Sequence, residues 1–348
     1  MKPSNYNFVL KLKEAFWRDL EVLQLYVSLD NLEDFGIMFL NEAYENIYFC
    51  TSTDFQKLIS LEQFIELAST FNKGVHDYQI EFSSAFQNMT HYIWLDDQKE
   101  KVISVFFDED KTIQRIYLKP FITYEQSDNR YTSNLYTMPV KGEWFVVWGG
   151  ANEFINYHYP YESQRYAYDL VKIQDGLSYR NTQTENNNFY AFNEAIVAPG
   201  DGKIVKVVDG LKDNVPGEMD TNNPAGNYVV IEHANKEFSM IAHFKKNTIL
   251  VKAGDVVREE QLIGKCGNSG NSSEPHIHFQ VMDSDDFENG NSIRIQFKDG
   301  NEPIQGDTIV NPQEYKDPFD ENLEKIGNSL TIMDFILLIP STIAQLFK

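Results

Sequence analysis

Cysteine is nearly absent from this chain, and its first residues form no long apolar run. Only two cysteines, Cys50 and Cys266, occur among 348 residues, and they lie far apart in the sequence. This scarcity excludes a disulfide framework and a zinc finger built on cysteine ligands. Residues 1–20 mix charged side chains among the apolar ones, so we identify no secretory signal peptide. We therefore expect a cytoplasmic or membrane-associated protein, or one exported by an unrecognised route.

Basic residues are also scarce. The chain has 30 Lys and Arg against 52 Asp and Glu, which gives a formal net charge of −22. So acidic a surface repels a phosphate backbone, which excludes a nucleic-acid binder, and it lacks the basic patch that anionic membranes attract. Hydrophobic residues at 42% and aromatic residues at 14% are typical of a folded globular protein, whose length predicts two domains or one large one.

Residues 1–120 predict an α+β domain. Apolar side chains recur at helical spacing up to about residue 72, and Ser60 with Gln63 forms a capping box that begins a helix. From Tyr78 onward, apolar and polar residues alternate in short stretches separated by acidic turns, the pattern of antiparallel strands joined by hairpins. Helices followed by such strands resemble the NTF2-like domains. No motif in this half predicts a chemical function, and we interpret His91 as structural.

The second half of the chain predicts an all-β sandwich at residues 142–300. Short strands alternate there with glycine-rich turns, which is the pattern of a sandwich or barrel. Residues 121–141 are polar with little periodicity, so we place a linker there. An irregular extension is predicted at residues 301–329.

Histidines in this half suggest a site. His276 and His278 lie two apart in a predicted strand, so their side chains point to one face while Ile277 turns into the core. Two solvent-facing histidines would explain this pair almost as well. Further histidines upstream strengthen the interpretation: His243 lies in another short strand, and His158 precedes Asp169.

The order of these motifs resembles the LytM-type, or lysostaphin-type, zinc peptidases of family M23. Two turns, Ala198-Pro199-Gly200-Asp201-Gly202 and Gly254-Asp255-Val256-Val257, match that family as well. The resemblance implies a LytM-like sandwich and a Zn²⁺ ion held by His158, Asp169 and His278. Such a ligand set leaves an open position for water, whose pKa the ion would lower to about 7.

The resemblance also implies that His243 and His276 are the catalytic histidines. One imidazole can accept a proton from water, and another can stabilise the oxyanion or protonate the leaving amine. The sequence leaves open which of the two does which. His233 has no catalytic assignment, and we interpret it as structural.

One spacing departs from the commonest family pattern, which has a histidine four residues before the aspartate. Here that position holds Arg165, and His158 stands eleven residues before Asp169. The run Ala167-Tyr168-Asp169 matches members with a longer insertion at this point. The alternative is a site that has lost a ligand.

The function implied by the resemblance is hydrolysis of peptide bonds in peptidoglycan stems or cross-bridges by a zinc metalloendopeptidase. One alternative is a catalytically inactive LytM-like module that binds or activates another cell-wall enzyme. A second is a phosphotransfer carrier with a related sandwich and two active-site histidines. Such a carrier needs no metal-ligating Asp169, so metal content distinguishes it from a peptidase.

Residues 330–348 predict an amphipathic C-terminal helix. Apolar side chains recur there at helical spacing, and Asn328 or Ser329 can cap its start. Asp334 and Pro340 interrupt the run, and about 20 apolar residues are needed to span a bilayer. The helix can dock on the protein's own surface, lie on a membrane or bind a partner protein.

Deletion of residues 330–348 should leave zinc content and peptidase activity on soluble fragments unchanged. It should reduce association with vesicles or with a partner, measured by co-sedimentation. That association should depend weakly on salt, because it arises from apolar burial worth about 25 cal/mol per Å². Precipitation or loss of fold in the truncated protein would instead make the segment part of the core.

Overall fold

The computed structural model describes residues 31–86 and 88–311, and the predicted C-terminal helix at 330–348 lies outside them. The helices are α1 (Phe35–Leu40), α2 (Tyr44–Phe49), α3 (Thr53–Leu58), α4 (Leu61–Asn72) and α5 (Glu125–Asp128). The first nine strands are β1 (Tyr78–Phe86), β2 (Met89–Asp96), β3 (Lys101–Asp108), β4 (Ile113–Pro120), β5 (Tyr131–Tyr136), β6 (Gly142–Trp148), β7 (Tyr168–Val171), β8 (Ala195–Val197) and β9 (Gly202–Val208). The others are β10 (Tyr228–Glu232), β11 (Phe238–Ala242), β12 (Val256–Val257), β13 (Leu262–Lys265), β14 (Ile277–Met282), β15 (Arg294–Phe297) and β16 (Thr308–Asn311). No helix among the described residues is long and apolar enough to cross a membrane.

Helices α1 to α4 pack on a four-stranded antiparallel sheet of order β1-β2-β3-β4. The core between them is aromatic: the Phe35 ring lies 5.1 Å from that of Trp94 and 6.1 Å from that of Phe107. The predicted capping box is confirmed. The Ser60 hydroxyl accepts a hydrogen bond from the backbone N–H of Gln63, and the Gln63 side-chain oxygen accepts one from the backbone N–H of Ser60. The likeness to NTF2-like domains stays a prediction.

The remaining strands form a sheet-rich unit, as the sequence predicts. Eight strands pair in the order β12-β9-β10-β11-β14-β7-β6-β16, and two-stranded pairs β13-β8 and β5-β15 accompany them. Strand β14 lies between β11 and β7, and its register sets Ala242 and Asp169 opposite His278. Buried aliphatic side chains such as Ile196, Ile241 and Ile263 fill the core beneath the sheet.

Two boundaries differ from the sequence prediction. The proposed linker at 121–141 contains α5 and the strand β5, which pairs in parallel with β15. The extension predicted as irregular contains β16, which pairs with β6. Both strands are held by partners more than a hundred residues away in the sequence, so their local polar composition conceals them.

The four-stranded sheet contacts the sheet-rich unit through its face opposite the helices. Phe82, Ile93 and Leu95 pack there with Phe154 and Ile155. On the same strand as Ile93, His91 is buried, stacks on Phe106 with ring centroids 4.0 Å apart, and forms a hydrogen bond with the Ser104 hydroxyl. Burial lowers the pKa of His91 to about 4, since the charged imidazole is poorly solvated there.

We expect His91 to make the fold sensitive to acid. Its folded pKa of about 4 lies below the unfolded value of 6.5, so its contribution to stability is present above pH 6.5 and is lost as the pH falls towards 4. Between pH 7 and pH 5 this loss amounts to about 2 kcal/mol. The variant His91→Gln should lose that much less stability over this interval in urea unfolding. The exposed His76, replaced in His76→Gln, is the control, and equal losses in both variants would contradict the prediction.

Candidate functional site

The structure brings the three predicted metal ligands together. His278 on β14 and Asp169 on β7 are register partners, and His158 approaches them from the loop of residues 150–167 that precedes β7. His278 Nδ1 lies 3.0 Å from Asp169 Oδ1, and His158 Nε2 lies 3.6 Å from Asp169 Oδ2. One potential ligand atom from each residue lies within 4.8 Å of the other two, and all three side chains are buried. The eleven-residue spacing therefore does not keep His158 out of the site.

His158 is held by its neighbour Asn156, which is fully buried. The amide oxygen of Asn156 accepts from the backbone N–H of His158 at 3.1 Å and lies 3.0 Å from its Nδ1. The Asn156 amide nitrogen donates to the carbonyls of Gly150, Arg165 and Ala167. Because the oxygen can only accept, Nδ1 of His158 carries the proton and Nε2 presents a lone pair.

That lone pair has no hydrogen-bond partner among the described residues, although Nε2 of His158 is buried. The lone pair faces the negatively charged carboxylate of Asp169, which repels it. A buried polar atom without a partner is costly, and a cation between the imidazole and the carboxylate would remove the cost. The residues present therefore fit a metal ion.

The protonation states of His158 and Asp169 suit this interpretation. Burial lowers the pKa of His158 to about 3, although the charge of Asp169 opposes the shift. Burial by itself raises the pKa of Asp169, but His158, His276 and His278 outweigh it and hold the pKa well below its usual range. For His278, burial is outweighed by the hydrogen bond to Asp169, so its pKa is raised. At neutral pH His158 is thus a neutral imidazole beside a charged carboxylate, the form in which both bind metals.

The two predicted catalytic histidines lie beside this cluster. The rings of His243 and His276 have centroids 4.6 Å apart, and His276 Nε2 lies 3.8 Å from Asp169 Oδ1. His243 Nδ1 lies 2.7 Å from the Ser269 carbonyl oxygen, and His276 Nδ1 lies 2.8 Å from the Glu274 carbonyl oxygen. Each Nδ1 therefore donates to the backbone, so in the neutral form of either ring the lone pair is on Nε2. Burial and the neighbouring His276 lower the pKa of His243 well below its usual value.

The loop whose Ser269 carbonyl accepts the hydrogen bond from His243 is itself held in place by close contacts. Ser269 donates its hydroxyl to the Phe244 carbonyl and accepts from the Asn227 amide. Gly226 passes so close that a Cβ there would lie 2.3 Å from the Ser269 carbonyl oxygen. The glycine at 226 is therefore required for this contact, and the contact fixes the carbonyl that orients His243.

Two cavities, of about 100 and 280 Å³, border the cluster and share Tyr157 and Asn271; together they are called the groove. The smaller cavity borders His243 and His278 and is otherwise largely apolar, with Met240 and Phe287 among its lining residues. The larger one borders Asp169 and His276 and includes Trp148 and Glu274. The groove therefore offers space beside His243 and His278 and beside Asp169 and His276.

Tyr157 and Asn156 were not predicted from the sequence as site residues. The ring of Tyr157 lies 3.9 Å from that of His158, and burial together with the nearby Asp169 raises the pKa of its hydroxyl. Their position close to His158 in the sequence was the signal that could have identified both residues. His233 lies away from the site, with its ring nitrogens bonded to the Asp201 carbonyl and the Ser239 hydroxyl.

Part of this chain matches a known protein family. Residues 188–294 match Peptidase family M23, a span that includes His243, His276 and His278 but neither His158 nor Asp169. Peptidoglycan DD-endopeptidase ShyA of Vibrio cholerae is 45% identical over 65 residues, which are 18% of this chain and 15% of that protein. ShyB of the same organism, also a peptidoglycan DD-endopeptidase, is 35% identical over 88 residues, 25% of this chain and 17% of that protein. The chain thus matches less than a fifth of the length of these relatives.

Among solved structures, the catalytic domain of lysostaphin from Staphylococcus simulans is 22% identical, with 48% of this chain and 92% of that chain covered and a TM-score of 0.23. The family match and its curated relatives agree on the same part of the protein: residues 188–294, in the sheet-rich unit, are similar to peptidase family M23.

Proposed function

We propose that this protein is a zinc-dependent metalloendopeptidase that hydrolyses peptide bonds in peptidoglycan. The observation that carries the proposal is the buried Nε2 of His158, which faces the Asp169 carboxylate without a hydrogen-bond partner among the described residues. The family match supports the peptidase class, and relatives named as peptidoglycan DD-endopeptidases support the substrate.

In this proposal His158, Asp169 and His278 hold the zinc ion. Two imidazoles and one carboxylate are a donor set that zinc accepts in catalytic sites, with a further position left open. When bound, the ion supplies Lewis-acid chemistry, polarising a peptide carbonyl and lowering the pKa of a water molecule. Asn156 orients His158, because its amide oxygen keeps the proton on Nδ1.

His243 and His276 move protons at their Nε2 atoms. Both imidazoles donate from Nδ1 to a backbone carbonyl, so each ring is anchored and its Nε2 can accept a proton or, once protonated, return it to a leaving amine. The Tyr157 hydroxyl keeps its proton at neutral pH and can donate a hydrogen bond in the groove. The groove binds the peptide in an extended form across the histidines.

The first test of the proposal is zinc binding. The full chain should bind one zinc ion, and His158→Ala and Asp169→Ala should each lose it, because each removes one of three ligands. Metal content after gel filtration measures this, and His233→Gln, which alters a buried histidine away from the site, is the control. Full zinc affinity in His158→Ala with loss in Asp169→Ala would show that His158 is not a ligand. A chain that binds no zinc would contradict the proposed function.

The second test separates chemistry from metal binding. His243→Ala and His276→Ala should keep zinc bound and lower turnover by about two to four orders of magnitude, the usual contribution of general acid–base catalysis. Digestion of purified peptidoglycan, with products identified by mass, measures turnover and identifies the bond. If a variant keeps the turnover of the parent, the histidine that it replaces takes no part in the mechanism. A zinc-loaded parent that cleaves nothing would instead support the inactive binding module.

A further inference from the structure

Arg165 occupies the position that the commonest family spacing gives to a histidine, yet its guanidinium contacts Tyr124, Ser127 and Tyr159. It is 6% exposed, and its guanidinium lies 3.5 Å from the ring centroid of Tyr124. It donates to the Ser127 hydroxyl at 2.7 Å and to the Tyr159 carbonyl at 3.0 Å. Arg165 therefore connects the loop that carries His158 to the region around α5.

Asp128, the last residue of α5, completes this connection. Its two carboxylate oxygens accept the hydroxyls of Tyr159 and Tyr166, both at 2.7 Å. Both tyrosines are buried, and they lie near the two ends of the segment between His158 and Asp169. The cluster formed by these residues is called the loop clamp: Tyr124, Ser127, Asp128, Tyr159, Arg165 and Tyr166.

The clamp and Asn156 hold the loop before and after His158 in the sequence. Asn156 binds the loop through the carbonyls of Gly150, Arg165 and Ala167. Tyr159, the residue after His158, is held by its hydrogen bond to Asp128. Because the two residues share a backbone, a shift of Tyr159 moves His158 relative to Asp169, and a metal site tolerates only a small error in ligand position.

We propose that Asp128 is a positioning residue for His158: through the loop clamp it sets the eleven-residue segment so that His158 reaches Asp169. The proposal rests on the proposed role of His158 as a zinc ligand. It makes the metal site depend on a segment that lies upstream of residues 188–294, the part matched to the family.

Zinc affinity, measured by competition with a chelator on the full chain, is the first readout. Asp128→Ala should lower it by about 10- to 100-fold, the usual effect of removing a group that orients a metal ligand. Asp128→Asn should recover much of the loss, because its amide can accept one tyrosine hydroxyl and donate to the other.

A matched pair of variants separates positioning from general stability. Tyr159→Phe removes a hydroxyl from the clamp, and Tyr136→Phe removes one that donates to Glu237 at 2.9 Å elsewhere in the sheet-rich unit. Both should lower the midpoint of thermal unfolding, but only Tyr159→Phe should weaken zinc binding, by about tenfold. This pair also keeps the test valid if Asp128→Ala fails to fold.

Hydrogen exchange of the metal-free protein tests the clamp without zinc. Backbone amides of residues 156–166 should exchange faster in Tyr159→Phe than in the parent, whereas Tyr136→Phe should leave them unchanged. Equal effects of the two variants, on exchange or on zinc affinity, would overturn the proposal. A parent that binds no zinc would refute the proposed function, while the exchange result would still decide whether the clamp orders the loop.

Discussion

The burial of the Asp169 carboxylate is the constraint on which the site depends. A charge removed from water is strongly destabilising unless it is paired, and here three imidazoles surround it within 3.8 Å. Two of them, His158 and His276, donate from Nδ1 to a neutral oxygen and turn Nε2 towards the carboxylate, and the Nε2 of His158 has no hydrogen-bond partner among the described residues. The cluster therefore carries more acceptors than donors, and a cation is the group that balances it.

The excess of hydrogen-bond acceptors over donors arises from the oxygen atoms to which the histidines donate. Three rings donate from Nδ1 to a neutral oxygen: His158 to the Asn156 amide, His243 to the Ser269 carbonyl and His276 to the Glu274 carbonyl. A neutral acceptor orients an imidazole without favouring its charged form as a carboxylate would. In the proposed mechanism the Nε2 of His158 binds the metal ion, whereas the Nε2 atoms of His243 and His276 accept protons.

The rest of the chain supports the groove from outside the family-matched residues. Strand β6 ends at Trp148, which lines the groove, and its neighbours Val147 and Gly149 are bonded by Gln305. The adjacent Ile304 packs with the face of the N-terminal sheet that carries Phe82 and Ile93. The helix α5 holds the loop of His158. It lies in the segment predicted as a linker, and Ile304 and Gln305 lie in the segment predicted as an irregular extension.

Local patterns in the sequence determined much of this protein. The period of two predicts that His276 and His278 face the same way, and both rings lie near Asp169, although β14 begins only at Ile277. The Ser60 capping box begins a helix. Both features depend only on residues a few positions apart. The tertiary structure alone decided that β5 pairs with β15, that Asn156 fixes the tautomer of His158, and that Asp128 receives two tyrosine hydroxyls. These contacts depend on the path of irregular loops and on partners up to about 160 residues away, and no local period encodes where such a loop closes.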